Sequence, residues 1–324
     1  MPTLTKTMHA MAITSYGDTS VFKEIELPIP EPKDKELLVK VHATSINPVD
    51  YKIRKGLLST GLKPPQILGF DVSGVVVETP QQGVSTFQIG DEVFYYSRIP
   101  GRQGAYAEYN LAEEEVVSKK PKNISHAEAA SFPVVWCTAW DMLIERTKIK
   151  IGETVLIHAG AGGVGSVGIQ LAKLCGAYVF STCSTKNIDF VKKLGADFVI
   201  DYKKEDFAEI IKKETKGNGV DIVFDTVGEE TLTKSISVTK PFGRVATIIR
   251  MPAIIEEAFF KNLSIFPIFA QSARYKMDVL RELVERGQIK PQIDSVIKLS
   301  DIPKAHEKIE KGGVRGKIVV EIAS

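Results

Sequence analysis

Residues 158–177 read HAGAGGVGSVGIQLAKLCGA, and no other stretch narrows the possible folds as much. Gly160, Gly162 and Gly165 have G-x-G-x-x-G spacing. Glycines cluster in many loops, so the spacing alone is a weak signal. Its setting strengthens it. The apolar run VLIHA precedes the glycines, and a helical pattern with Val164, Val167, Leu171 and Leu174 on one face follows, closed by Gly176. In a strand–turn–helix of this kind the first glycine permits a tight turn, the second leaves room for a pyrophosphate, and the third lets helix and strand pack closely. The helix start offers phosphates its free amides and the positive end of its dipole. Gly160, Ala161, Gly162, Gly163, Val164 and Gly165 are therefore the candidate dinucleotide turn.

The flanking pattern agrees. From Thr154 apolar runs alternate with helical segments: VLIHA, YVFSTC, FVIDY, VDIVFDTVG, RVATII and LSIFPIF. Such alternation means parallel strands joined by helical crossovers, and six strands suit a doubly wound sheet in the order 3-2-1-4-5-6. Before it, LLVKVHA, VSGVVVE and DEVF separated by proline and glycine predict a β-rich unit. Ser125 and Glu128 have the spacing of a capping box. After residue 270 two helices are expected, Met277–Arg286 and Ile302–Lys311, and GKIVVEI is a strand outside the parallel set, returning to the first unit. The expected division is 1–126, 127–270 and 271–324.

Composition excludes more than it identifies. Of 324 residues, 44% are hydrophobic and 25% charged, with a net charge of +2. That predicts a normal core and gives no reason for a nucleic-acid partner or a membrane. Scattered lysine pairs, Lys119-Lys120 among them, are expected on solvated faces. Three cysteines without C-x-x-C spacing suit a reducing, cytoplasmic setting. An NAD site usually carries an acid at the end of the second strand. Here that stretch reads Ser181-Thr182-Cys183-Ser184-Thr185-Lys186, with no acid. The hydroxyls and Lys186 suit a 2′-phosphate, so NADPH is the expected cofactor. Ser184 also fits a helix N-cap, and the two roles are compatible.

With the glycine turn, INPVDYKIRKG (46–56), LGFDVSGVV (68–76), GDEVF (90–94), GAYAEY (104–109), AASFP (129–133) and the final GKIVVEI resemble the medium-chain dehydrogenase/reductase superfamily. More narrowly they resemble its zinc-independent quinone oxidoreductase branch, which includes zeta-crystallin-like and enone or alkenal reductases. The resemblance implies an α/β protein: a GroES-like β-rich catalytic domain plus a Rossmann doubly wound parallel-sheet domain, with NADPH in the cleft. Zinc-dependent relatives carry Cys where this chain has Asn47 and His where it has Phe70, and their second zinc sits in a Cys-rich lobe that Phe94–Tyr109 lacks. No metal is expected.

Without a metal to activate an alcohol, conjugated acceptors are the expected substrates. A quinone or an α,β-unsaturated carbonyl is already electrophilic, so orientation and oxyanion support suffice. The resemblance sets Asn47 beside the nicotinamide. Tyr51 and Lys52 are candidates to support the enolate or relay its proton, and each has the plainer alternative of packing or solvation. Asp50 is expected to cap the local helix. Thr138 matches a threonine near the nicotinamide, and Tyr202 a tyrosine on the adenosine phosphate. Val227 and Ile248 end the fourth and fifth strands and face the cofactor; Phe266, with Phe269, follows the sixth. Asp225 and His158 are expected to be structural. Tyr95, Tyr96, Arg98 and Arg102 are expected in an irregular segment, either flanking a substrate entrance or simply on the surface. The sixth strand is a sheet edge, which predicts a homodimer near Leu263–Phe269. Two alternatives stand beside the reductase: an NADPH-binding protein with little turnover, and an alcohol dehydrogenase.

Overall fold

The computed structural model describes residues 6–33, 35–80, 85–99, 101–249 and 256–322. The chain divides into two compact units, Met1–Cys137 with Ser272–Ser324, and Thr138–Gln271.

The first unit is mainly β-sheet, as its β-branched and aromatic runs dictate. Strands Phe22–Pro28, Thr7–Ile13 and Gln66–Ile67 form a small sheet. A larger one sets Ile293–Lys298, Lys317–Glu321, Glu36–Ser45, Asp71–Glu78, Glu92–Tyr96 and Ser118–Lys119 in that order, with Tyr109–Glu113 also on Glu36–Ser45. Leu37, Val39, Val41, Val72, Val76 and Val93 fill its core. The last strand runs antiparallel to Glu36–Ser45, pairing Val319 with Ser45. That register carries Lys317 to the start of the helix Pro48–Arg54. The capping box forms: Ser125 N donates to Glu128 Oε2 at 2.9 Å, and Glu128 N to Ser125 Oγ at 3.2 Å.

Two expectations about this unit are corrected. Tyr95 and Tyr96 are not in an irregular segment; they end the strand Glu92–Tyr96 and are buried. Tyr95 Oη donates to Asn110 Oδ1 at 2.8 Å, so the ring belongs to the core. Arg98 and Arg102 do follow in irregular chain, but both are tied to carboxylates, Arg98 to Glu115 and Glu113, and Arg102 to Glu36 at 2.8 Å and Glu113 at 2.7 Å. Lys120 is not solvated either. It is buried, and its Nζ donates to the carbonyls of Pro121 at 3.0 Å and Ile124 at 2.7 Å.

The second unit holds six parallel strands: Thr154–Ile157, Tyr178–Cys183, Phe198–Asp201, Val220–Asp225, Thr239–Thr247 and Ser264–Pro267. Counted along the chain they lie in the order 3-2-1-4-5-6, as the alternation predicts. Leu156, Phe180, Ile200, Phe207, Val223 and Val245 form the core under the crossover helices. The helix Gly163–Leu174 buries Val167, Gly168, Ile169, Leu171 and Ala172, whereas Leu174 is exposed. The buried face turns toward the small residues because the ring of Phe224 lies against Gly168, where a Cβ would stand 2.9 Å from Phe224 Cζ. Among the described residues no helix is long and apolar enough to cross a membrane.

Candidate active site

The glycine turn leaves the carboxyl end of the first parallel strand. Ala159 takes the left-handed conformation there, with φ +51°. Gly160 is needed for space, not for a positive φ: a Cβ on it would lie 2.0 Å from Ser181 Oγ. Gly160 N donates to Thr182 O at 2.9 Å, and Ala159 N to Thr182 Oγ1 at 3.2 Å, which pins the turn to the second strand. At Gly165 a Cβ would meet Ala159 O at 2.3 Å and Gly160 Cα at 2.9 Å. At Gly162 it would meet only Ala159 O, at 3.3 Å. The middle glycine therefore borders open space, while the outer two hold the turn shut. The amides at the start of the helix Gly163–Leu174 have no carbonyl one turn earlier within the helix, so they are free for an anion. This cradle fits the diphosphate of a dinucleotide.

A parallel sheet puts the carboxyl ends of its strands along one edge, and the other predicted residues of this unit follow from that. Ser184 and Lys186 follow the second strand, Tyr202 the third, Val227 the fourth and Ile248 the fifth. Phe266 lies inside the sixth strand, opposite Ala246. Ser184 caps a short helical turn, and its Oγ accepts from Asn187 Nδ2 at 3.2 Å, leaving the hydroxyl hydrogen free to donate. Lys186 and Tyr202 are exposed. Between these loops Asp201 accepts Thr185 Oγ1 at 2.6 Å and Lys203 N at 3.1 Å; hydrogen bonding, the Thr185 hydroxyl first, holds its carboxyl below the usual range. Asp225 is structural: it takes Val227 N at 3.1 Å, Gly228 N at 3.0 Å and Thr247 Oγ1 at 2.7 Å. His158 is structural as well, sandwiched between Thr182 Oγ1 at 3.1 Å and Ser235 Oγ at 2.8 Å; burial pushes it down to about 4. Thr138 is buried on the helix Pro133–Trp140.

In the first unit, Asn47 caps the start of the helix Pro48–Arg54, Tyr51 lies mid-helix and Lys52 in its last turn. Asn47 N donates to Asp50 Oδ2 at 2.6 Å, so Asp50 caps the helix as its position predicts. Tyr106 Oη reaches the same oxygen at 2.9 Å and lies 3.3 Å from His306 Nε2. Burial pushes the Asp50 carboxyl up to about 7 against those two hydrogen bonds, and pushes His306 down to about 3. Asn47's own amide turns elsewhere. Nδ2 donates to Asp71 Oδ2 at 2.7 Å, and Oδ1 accepts from Lys317 Nζ. Tyr51 and Lys52 are half-buried; the Lys55 ammonium lies 5.7 Å from the centre of the Tyr51 ring.

Asp71, Tyr106, His306 and Lys317 are absent from the sequence-predicted set. A local signal existed for two of them: Asp71 in LGFDVSGVV and Lys317 in GKIVVEI put a charge inside a strand pattern. Asp71 is 0% and Lys317 5% exposed, so each charge required a partner. The donors zinc would need are missing around Asn47: Phe70 has no ligand atom, and Asp71 is held by Ser45, Asn47 and Lys317. Among the described residues no three His, Cys, Asp or Glu side chains are grouped to hold a metal ion.

Comparison with known proteins adds to this geometry. Residues 33–122 match the alcohol dehydrogenase GroES-like domain, and residues 194–320 the family described as zinc-binding dehydrogenase. The chain is 35% identical to the chloroplast envelope quinone oxidoreductase homolog of Arabidopsis thaliana, over 98% of this chain and 99% of that protein. It is 35% identical to the chloroplastic NADPH-dependent alkenal/one oxidoreductase of the same plant, over 97% and 80%. The structure of the quinone oxidoreductase from Coxiella burnetii superposes with a TM-score of 0.89 at 36% identity, covering 98% of this chain and 100% of that one.

Proposed function

Since the chain belongs to the medium-chain dehydrogenase/reductase superfamily, among its quinone oxidoreductases and alkenal/one reductases, we propose that it reduces quinones or the C=C bond of α,β-unsaturated carbonyls with NADPH and without zinc. As a member it is an oxidoreductase that uses a nicotinamide cofactor and acts on a small molecule. The observation that carries the finer reading is the buried amide of Asn47, held by Asp71 and Lys317 where zinc-dependent relatives present a cysteine thiolate.

A reduced nicotinamide, when bound, supplies the hydride. The chain's own residues do the rest. The turn Ala159–Gly165 and the helix start hold the diphosphate, and Ser184, Lys186 and Tyr202 hold the 2′-phosphate. Thr138, Val227, Ile248 and Phe266 line the nicotinamide end. Asn47 Nδ2 donates to the acceptor oxygen as negative charge gathers there. Tyr51 or Lys52 delivers the closing proton.

Oxidation of NADPH by 1,4-benzoquinone, 9,10-phenanthrenequinone, acrolein and a long-chain enone tests this. Turnover with at least one class, by metal-stripped protein, is the expected result. Tight NADPH binding with no turnover favours the binding-protein alternative, and one zinc per washed chain with alcohol oxidation favours the dehydrogenase. We further propose a homodimer joined along the edge strand Ser264–Pro267, supported by the exposed rings of Phe242, Phe259, Phe260 and Phe269 in that unit. A monomeric mass by light scattering, independent of concentration, overturns it. A cytoplasmic location belongs to the same proposal, resting on three free thiols, and a fluorescent fusion tests it.

A further inference from the structure

Lys317 is a charged residue that is only 5% exposed. Its Nζ donates to Ile46 O at 2.9 Å, to Asp71 Oδ2 at 3.2 Å and to Asn47 Oδ1. An ammonium has three hydrogens, and all three are used. Asp71 is equally committed. Its Oδ2 takes Lys317, Asn47 Nδ2 at 2.7 Å and the Ser45 hydroxyl, while its Oδ1 takes Val134 N at 2.7 Å. Lys317 therefore has no hydrogen left for a ligand. Whatever it does for chemistry, it does through Asn47.

Two effects on Asn47 follow. The first is orientation. Turning the amide over would set NH2 against the ammonium and a carbonyl oxygen against the carboxylate, two contacts without a hydrogen bond between buried charged groups. The pair thus allows one orientation. The second is polarisation. An ammonium on Oδ1 draws electron density from the amide and makes its N–H a stronger donor. Nδ2 has two hydrogens; Asp71 takes one, and the second has no partner among the described residues.

We propose that Lys317, with Asp71, is a positioning residue that locks and polarises the Asn47 amide, so that its second N–H is fixed as the donor to the acceptor oxygen. This rests on the reading that Asn47 faces the acceptor. It differs from a general stabilising role because the effect passes through one side chain. A donor held in place before reaction gains its advantage where charge develops, so the loss should fall on hydride transfer and leave cofactor affinity alone.

The test removes both charges together, since Lys317→Met alone strands Asp71 in the core. Asp71→Asn/Lys317→Met, Asn47→Ala and the triple variant are compared in single turnover with NADPH and 9,10-phenanthrenequinone, with NADPH Kd read by fluorescence. The charge-free pair should slow hydride transfer at least tenfold and leave the Kd within twofold. Asn47→Ala should add less than twofold to that loss, because both changes remove one interaction. Transfer within twofold of the unaltered protein, or losses that multiply, overturns the proposal. A second measurement needs no variant beyond an assignment control: in a 15N spectrum the Asn47 side-chain hydrogen held by Asp71 should lie downfield of exposed asparagine amides and exchange with solvent more slowly than they do. Shifts and solvent exchange matching those of exposed asparagines overturn the lock. If the unaltered protein transfers no hydride to any acceptor, the functional reading itself has failed and the inference falls with it; an active protein with an indifferent charge-free pair sinks the inference alone.

Discussion

The turn Ala159–Gly165 and the Asn47 cluster are built from opposite materials. The turn is backbone, drawn from consecutive residues, and its limits are steric: a Cβ at Gly160 or Gly165 has nowhere to go. The cluster is side chains drawn from Ser45, Asn47, Asp71 and Lys317, and its limits are electrostatic: two buried charges pair directly at 3.2 Å and share one amide between them. A backbone site tolerates any side chain that stays out of its way. A side-chain site fails when one member of a balanced set is removed.

The largest expected effect tests that balance. Lys317→Met leaves Asp71 buried without its counter-charge, a change that costs about 3–5 kcal/mol in comparable settings. Asp71→Asn/Lys317→Met removes both charges and should lose markedly less. Thermal melting of the two variants decides it. Equal losses would mean that the packing of the lysine stem, not charge balance, supports the cluster.

The next tests the steric side. Gly165→Ala drives a Cβ to within 2.3 Å of Ala159 O, with Gly160 Cα 2.9 Å away, and neither backbone group can step aside. A loss of about 2–3 kcal/mol is expected, in the upper range for overpacking. Gly162→Ala meets only Ala159 O, at 3.3 Å, and should fold within about 1 kcal/mol of the parent while weakening NADPH binding at least tenfold. Melting curves and cofactor titration on the two variants give opposite rankings if the turn works as described. The same ranking in both measurements would break the distinction between its outer and middle glycines.

A pH series separates the two regions further. Asp50 is raised from 3.8 to about 7, so between those values the folded chain keeps a proton that the unfolded chain has released. Its contribution is fully present below pH 3.8 and is lost as pH rises to about 7, at up to about 1.4 kcal/mol per pH unit. His158 runs the other way. Lowered from 6.5 to about 4, it stays neutral in the fold while the unfolded chain takes up a proton, so stability is lost as pH falls from 6.5 to about 4. Burial also lowers His306, to about 3, and His126 on the helix His126–Ala130, to about 4, and both oppose Asp50 within the first unit. Relative to the parent, Asp50→Asn should gain stability as pH rises from 4 to 7, and His158→Gln as pH falls from 6.5 to 4. Denaturant titrations showing a flat difference for either would remove that residue from the account.

The contrast also explains what was legible in the sequence. The glycine turn and the strand order could be read because their signals are local: three glycines at fixed spacing, and strand and helix periods in alternation. The Asn47 cluster could be read only in part. Asn47 stood in a recognisable stretch, but Lys317 lies 246 positions from Asp71, and only the antiparallel register of the last strand joins them. A lone lysine in a strand pattern reads as an outward-facing residue until its partner is known; Lys120 differs, since as half of a lysine pair it reads as solvated until the carbonyls it donates to are known. Tyr95 and Tyr96 were misplaced because aromatic residues suit a strand end and a binding loop equally; pairing with Asp71–Glu78 decides between them.

The smallest expected effect concerns the exposed end of the second unit, where neither steric nor buried-charge control operates. Lys186 is in water, so its attraction for a 2′-phosphate is screened, and an exposed ion contact contributes about 1 kcal/mol or less. Lys186→Ala should therefore weaken NADPH binding only about fivefold, with the difference shrinking as salt rises. NADH has no 2′-phosphate, so its affinity should not change. Asp201 gives the test an edge. Its carboxylate, held below the usual range mainly by the Thr185 hydroxyl and also by the Lys204 and Lys203 ammonium groups, sets a negative charge beside the Ser184 loop. With Lys186 removed, that carboxylate would oppose the phosphate more strongly, and Asp201→Asn in the same background should restore part of the lost affinity. Equal losses for NADPH and NADH would mean that Lys186 shapes the loop instead of reading the phosphate, and the cofactor preference would then have to be sought at Ser184 and Tyr202.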